Sequence, residues 1–194
     1  MARLIKTDGT EEIVSLPTYY NEIRFLSRLE ARWAVFFDIL RIQYHYEPEG
    51  FKLKSGECFL PDFFLPNTSI RSCGPPGTYV EVKGSNEEYH KKYSIFWDFG
   101  LEKPLVVFVG MPPPFDDWHN PGGTQFLPVK DGCWEDHPMI FYVCPKCKAT
   151  KIEFPEGHYF ECNLCGTRGA DADRVADAAN RALKYQFVFG RGTK

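Results

Sequence analysis

No apolar run in this chain approaches the roughly 18 residues that a membrane-crossing helix needs, so no membrane span is expected. Low-complexity tracts are missing too. With 43% of residues hydrophobic and 25% charged, a disordered chain and a coiled coil are both disfavoured. The opening MARLIKTDGTEEIV lacks the charged, apolar and small-residue succession of a secretion signal and reads instead as short strands near Leu4 and Ile13; a cytoplasmic location is the expectation. An excess of basic charge is absent as well, since 23 Lys and Arg face 26 Asp and Glu for a net −3. That balance counts against a protein that coats itself with phosphates, unless its cations are gathered locally.

What the chain has is cysteine. Seven are present, and in a reducing compartment they point to metal rather than to disulfides. Cys144 and Cys147 form one CxxC, and Cys162 and Cys165 a second after 14 intervening residues. Each CxxC makes a tight knuckle that aims two thiolates at one ion, and four sulfur ligands close a tetrahedral Zn²⁺ site with no position left for catalysis. A module of this size buries little core, so the metal supplies stability that packing cannot. A redox dithiol and an iron–sulfur cluster fit the spacing less well. His158 within the loop reads as a surface residue, and Cys58, Cys73 and Cys133 read as small buried hydrophobes.

Before this module, Ser27 and Glu30 form a capping-box signature, and Leu29, Trp33, Phe36, Phe37 and Leu40 recur at helical spacing, which predicts a helix over 28–40. Strands are predicted at 43–47, 51–53, 57–66 and 78–84, a second helix from Asn86 to about Phe99, and a buried strand at 105–110. The Pro- and Gly-rich stretch from Met111 to Cys133 reads as an irregular connection. A final helix capped by Asp171 or Asp173 carries an apolar stripe of Val175, Ala179, Ala182, Leu183 and Phe187 that returns to the first domain.

Pro61-Asp62 and Glu81-Val82-Lys83 carry the chemistry. Side chains alternate along a strand, so Glu81 and Lys83 share a face while Val82 takes the other. If the Asp62 strand lies beside the Glu81 strand, two carboxylates and an ammonium meet, a hard oxygen site for Mg²⁺. A lysine beside such an ion can orient or deprotonate an attacking water or neutralise charge developing on a phosphate. The plainer reading is an ExK pair on a solvated strand face.

The strings SRLEARWAVFFDIL, YHYEPEGF, LPDFFLP, YVEVKG and PLVVFVG resemble the PD-(D/E)XK nuclease superfamily, especially small phage and actinobacterial-type members with an appended zinc ribbon. The likeness covers residues 24–110. It implies an α/β restriction-endonuclease-like core of order αβββαβ with a mixed central sheet, and Mg²⁺- or Mn²⁺-dependent hydrolysis of DNA phosphodiester bonds, with the zinc ribbon helping to grip DNA. By motif match Asp62 and Glu81 bind the metal, the Val82 carbonyl is an additional ligand, and Lys83 assists the nucleophilic water. Glu30 has two readings: the capping partner of Ser27, or the first-helix glutamate that reaches the metal in similar nucleases. Tyr89, Lys92 and Tyr93 fall where related enzymes place a supporting polar residue.

The domain layout expected is a nuclease-like domain over 1–130, a four-cysteine ribbon over 138–170, and a C-terminal helix over 171–194 that packs on the core. His45, His90, His119 and His137 form no ligand spacing. The insertion NTSIRSCGPPG at 67–77 reads as a DNA-contacting loop or a surface turn. Local basic patches, Lys83, Lys91, Lys92, Lys146, Lys148, Lys151 and Arg168, are expected to carry DNA binding. A non-catalytic DNA- or protein-binding module built on an inert nuclease-like core is the alternative.

Overall fold

The computed structural model describes residues 2–5, 11–14, 17–70, 76–100, 102–111, 140–153, 161–162 and 164–187. Two antiparallel pairs open the chain: Ala2–Ile5 (β1) with Glu11–Val14 (β2), then Thr18–Tyr20 (β3) with Ile23–Phe25 (β4). The β3–β4 turn is Asn21-Glu22 with φ of 46° and 65°, the left-handed geometry that two-residue hairpins use to match strand twist. Helix α1, Arg28–Leu40, begins where the Ser27 hydroxyl accepts the Glu30 amide at 3.1 Å and ends at Arg41, whose left-handed φ of 61° stops the turn. Short strands follow at His45–Tyr46 (β5), Phe51–Lys52 (β6), Cys58–Phe59 (β7), Phe63–Leu65 (β8) and Ser69–Ile70 (β9). Then come Thr78–Lys83 (β10), helices Asn86–Lys91 (α2) and Tyr93–Gly100 (α3), Leu105–Val109 (β11), Ile140–Val143 (β12), Thr150–Glu153 (β13) and Ala172–Lys184 (α4).

The central sheet has the order β11-β10-β8-β5; β10 and β11 are parallel and the other pairs antiparallel. The result is a mixed α/β fold with a C-terminal helix and a nearby four-cysteine cluster. Strand alternation divides the core in two. Val80, Val82, Val106 and Phe108 face Trp33, Phe36 and Phe37 of α1, while Tyr79, Leu105 and Val107 face Phe96 and Phe99 of α3. Trp33 stacks on Phe108 at 4.4 Å and its indole N–H donates to the Gly110 carbonyl at 3.0 Å, fixing α1 across the sheet.

Several expectations change here. The second helix is two helices, because the chain turns at Lys92, whose amide is bonded back to Tyr89 and His90. In the 67–77 insertion, β9 pairs in parallel with β13, Lys151 opposite Ser69 and Ile152 opposite Ile70, so this part of the insertion is a strand in a sheet of order β12-β13-β9. Phe141, Val143 and Ile152 belong to the same buried cluster as α1; these ribbon strands share the main core because their inward faces are apolar and one is joined to β9. Cys58 is exposed on β7 rather than buried, since its neighbour Phe59 takes the inward position. Helix α4 begins at Ala172 after Asp171, whose side chain makes no capping bond. It buries Val175, Ala178, Ala179 and Ala182 against α1 and β12. His45 and His90 are exposed, whereas His119, His137, His158, Cys73, Cys133, most of the Met111–Cys133 connection and residues 71–75 of the insertion lie outside the described residues.

Candidate metal and acid centres

The β8–β10 pairing sets Val80 opposite Phe63, which brings Asp62 beside Glu81. The Asp62 carboxylate accepts the Val82 amide at 2.7 Å, and the Glu81 carboxylate accepts the Asp62 amide at 3.3 Å. Glu81 and Lys83 project together toward the α2–α3 side, where the Lys83 ammonium donates to Glu81 Oε1 and, at 3.1 Å, to the Val82 carbonyl. Phe96 of α3 lies under that ammonium, 5.9 Å from ring centre to Nζ. Asp62, Glu81, Val82 and Lys83 thus meet at one end of β10.

Glu30 approaches from the first turn of α1. Ser27 receives the Glu30 amide as a capping box requires, but the Glu30 carboxylate does not return to Ser27. It accepts the Leu26 amide at 3.1 Å and the Tyr46 hydroxyl at 2.6 Å. Glu30 is therefore buried and anchored by β5, and its charge is felt at Asp62. Tyr46 escapes sequence reasoning; alternation within QYHYE is the one signal that points it inward. Burial, and then the bond to Glu30, raise the Tyr46 phenol above its ordinary range.

The electrostatics are those of acids crowded against one cation. Burial, then repulsion from Glu81, pushes the Asp62 carboxyl well above the usual carboxylate range, against the pull of Lys83. Burial also raises Glu81, opposed by the Lys83 ammonium and more weakly by Lys92. Burial pulls Lys83 down, but the fields of Glu81 and Asp62 outweigh it and the net direction is up. Lys83 is an ammonium at neutral pH in this state. Lys92 acts on Glu81 through its charge, while Tyr89 is buried and ring-stacked on Phe96 at 5.8 Å and Tyr93 stays partly exposed.

The four cysteines converge more tightly. Among the described residues they are the one group of three or more candidate ligands with all ligand atoms within 4.8 Å of one another. Cys144 and Cys165 Sγ are 3.6 Å apart, Cys147 and Cys162 Sγ 3.5 Å; Zn–S bonds of about 2.3 Å in a tetrahedron would put sulfurs about 3.8 Å apart. Two knuckles of the same design build the site. In the first, the Lys148 amide bonds the Cys144 carbonyl and the Cys144 amide the Ala149 carbonyl; in the second, Gly166 bonds Cys162 and Cys162 bonds Thr167. The residue after each CxxC is left-handed, Lys148 at 61° and Gly166 at 66°. Hydrogen bonds from the Thr167 hydroxyl and backbone hold the Cys165 thiol below its ordinary range, favouring the thiolate that a metal needs. The cluster is suited to a metal such as Zn²⁺.

Among the described residues, no helix is long and apolar enough to cross a membrane. No protein-family model matches the chain, and no curated protein or solved structure matches it significantly.

Proposed function

We propose that the protein is a Mg²⁺- or Mn²⁺-dependent deoxyribonuclease of the PD-(D/E)XK type, stabilised by a structural zinc ribbon. The observation that carries this reading is the meeting of Asp62, Glu81 and Lys83 at one end of β10 with Glu30 behind them. The order α1, β5, β8, β10, α2–α3, β11 supports a restriction-endonuclease-like core. The donor set suits a hard dication, because one ammonium faces several acids and the carboxylates of Asp62 and Glu81 are driven toward protonation by burial. Asp62, Glu81 and the Val82 carbonyl would hold it, with Glu30 completing the acidic side. When bound, Mg²⁺ or Mn²⁺ supplies Lewis-acid polarisation of the phosphate. Lys83 neutralises charge that develops on the phosphate, and its three donors orient a water toward phosphorus.

An inert nuclease-like core that only binds DNA or a protein is the second reading. It draws on Lys83 occupying Glu81 and on the acids not gathering into a single close ligand group as the cysteines do. Cleavage of linear, nicked, branched and single-stranded DNA with Mg²⁺ or Mn²⁺ tests the proposal. Activity lost in Asp62→Asn and Glu81→Gln is expected; wild type no more active than Lys83→Ala on every substrate would sink the enzymatic reading. Calorimetry that finds no Mn²⁺ site dependent on Asp62 and Glu81 would favour the inert core.

A further inference from the structure

The bonds that hold Glu30 fall unevenly on its two oxygens. Oε2 accepts both the Leu26 amide at 3.1 Å and the Tyr46 hydroxyl at 2.6 Å, and the Leu26 amide also reaches the Tyr46 hydroxyl at 3.0 Å, so the three groups close a ring. Because the hydroxyl oxygen receives Leu26, its one proton goes to Glu30. Oε1 accepts no hydrogen bond among the described residues, and no cation among them pairs with Glu30. The residue is nevertheless only 9% exposed. An ionised carboxylate offers about four lone-pair positions, and burial makes the unused ones costly, so a role confined to the helix end leaves Oε1 without an account.

Tyr46 is fixed by more than this bond. Its ring lies 4.5 Å from that of Phe25 and 5.5 Å from that of Phe63, both fully buried. Strand β5 sets Tyr46 opposite Phe63, and the next residue, Glu47, donates its amide to the Asp62 carbonyl at 2.9 Å. The strand that carries the hydroxyl is therefore bonded to the backbone of Asp62 itself. From there the Asp62 carboxylate takes the Val82 amide and the Asp62 amide meets the Glu81 carboxylate. One chain of contacts thus runs from Glu30 through Tyr46 and β5 to both acids of β8 and β10, and the Glu30 charge is felt at Asp62.

We infer that Tyr46 is a positioning residue for the divalent ion: by engaging Oε2 it fixes the Glu30 carboxylate and leaves Oε1 to the ion that Asp62 and Glu81 hold. The inference rests on the metal-dependent reading of the acid centre and deepens it by a residue that touches neither ion nor substrate. Without the hydroxyl, Oε2 keeps only the Leu26 amide and the side chain turns more freely. Ion binding then has to supply the order that Tyr46 now provides in advance.

The test is Mn²⁺ titration of zinc-loaded full-length protein without DNA, read by the loss of the free Mn²⁺ signal in electron paramagnetic resonance and compared at equal folded fraction. The site in question is the one that Asp62→Asn removes. Tyr46→Phe keeps the ring between Phe25 and Phe63 and should weaken that site about tenfold, the lower end of what partners of metal ligands contribute. Glu30→Gln retains an oxygen for Tyr46 and Leu26 but loses the charge, and should weaken the site at least as much. The double variant Tyr46→Phe/Glu30→Gln should stay within about twofold of Glu30→Gln alone, because Tyr46 acts through that carboxylate. A tyrosine that only supported the fold would cost the same in both backgrounds.

A Tyr46→Phe site within about twofold of wild type, an equal loss in both backgrounds, or an unchanged site in Glu30→Gln would overturn the inference, and Asp62-dependent cleavage alongside any of these would leave the nuclease reading intact. A wild type with no Mn²⁺ site dependent on Asp62 would defeat both together. Mn²⁺ binding that follows the expected pattern without cleavage of any DNA would defeat the enzymatic reading alone and leave Tyr46 in its role.

Discussion

Replacing Lys83 with Met removes the ammonium while keeping most of the side-chain volume. Glu81, whose side chain is 3% exposed, would then lose the cation that touches it, because Lys83 is itself only 13% exposed and sits directly on its carboxylate. Leaving one buried charge without its partner costs about 3 to 5 kcal/mol. The field of Lys92 at Glu81 persists in the variant, so the lower end, about 3 kcal/mol, is expected. For a chain of this length, each kcal/mol lowers the melting temperature by about 2 to 4 °C, giving a fall of about 6 to 12 °C. Urea denaturation and thermal melting of zinc-loaded protein without Mg²⁺ or Mn²⁺ would measure it. The double variant Glu81→Gln/Lys83→Met should recover most of the loss, since the stranded charge leaves with its partner. A single variant within about 0.5 kcal/mol of wild type, or a double variant no more stable than the single, would refute the account of Lys83 as a buried counter-charge. The magnitude also bears on enzymology: activity of Lys83 variants has to be compared at equal folded fraction.

Asp62→Asn keeps an acceptor for the Val82 amide but removes a charge whose folded pKa is raised. The folded state then holds a proton that the unfolded chain releases near pH 3.9. From there up to the raised folded value, stability falls as pH rises. Without divalent metal, the variant should melt higher than wild type near pH 8 and show a flatter pH profile; a lower melting point at that pH counts against the reasoning. One equivalent of zinc per chain should appear by elemental analysis and be lost in Cys165→Ser. Chelation should strip hydrogen-exchange protection from Ser69 and Ile70, because β9 pairs with the ribbon strand β13; unchanged protection would separate the two. Ile152→Ala, fully buried among the residues packed on α1, should cost about 2 to 4 kcal/mol in denaturant unfolding, and a cost under 1 kcal/mol would mean that the ribbon strands are peripheral to stability.

Local chemistry made some elements readable from the residues alone. Ser27, the apolar spacing of α1 and the β-branched TYVEVK run each act within a few positions, and the same holds for the two CxxC knuckles. The break at Lys92 was hidden because neither Pro nor Gly marks it, so the periodicity reads through. The β9–β13 pairing was hidden for the opposite reason: it joins short segments far apart in the chain, where no local pattern records a partner. Glu30 shows both limits at once. Its amide does what the capping signature says, while its carboxylate turns to Tyr46, a contact that exists only after β5 has folded beside α1.

The parallel pairing of β9 with β13 sets an order on synthesis. Ser69 leaves a ribosome about 80 residues before Lys151, its partner, so Asp62, just ahead of β8, and the strand bearing Glu81 emerge long before the segment that closes on β9. Such late, non-local closure is slow and leaves strand edges open in the meantime. Capture of an ion by the cysteine knuckles would fix β12 and β13 at that last step. Zinc supply would then govern how much newly made chain reaches its final form, and a protein cut before residue 140 would keep β9 without its partner strand.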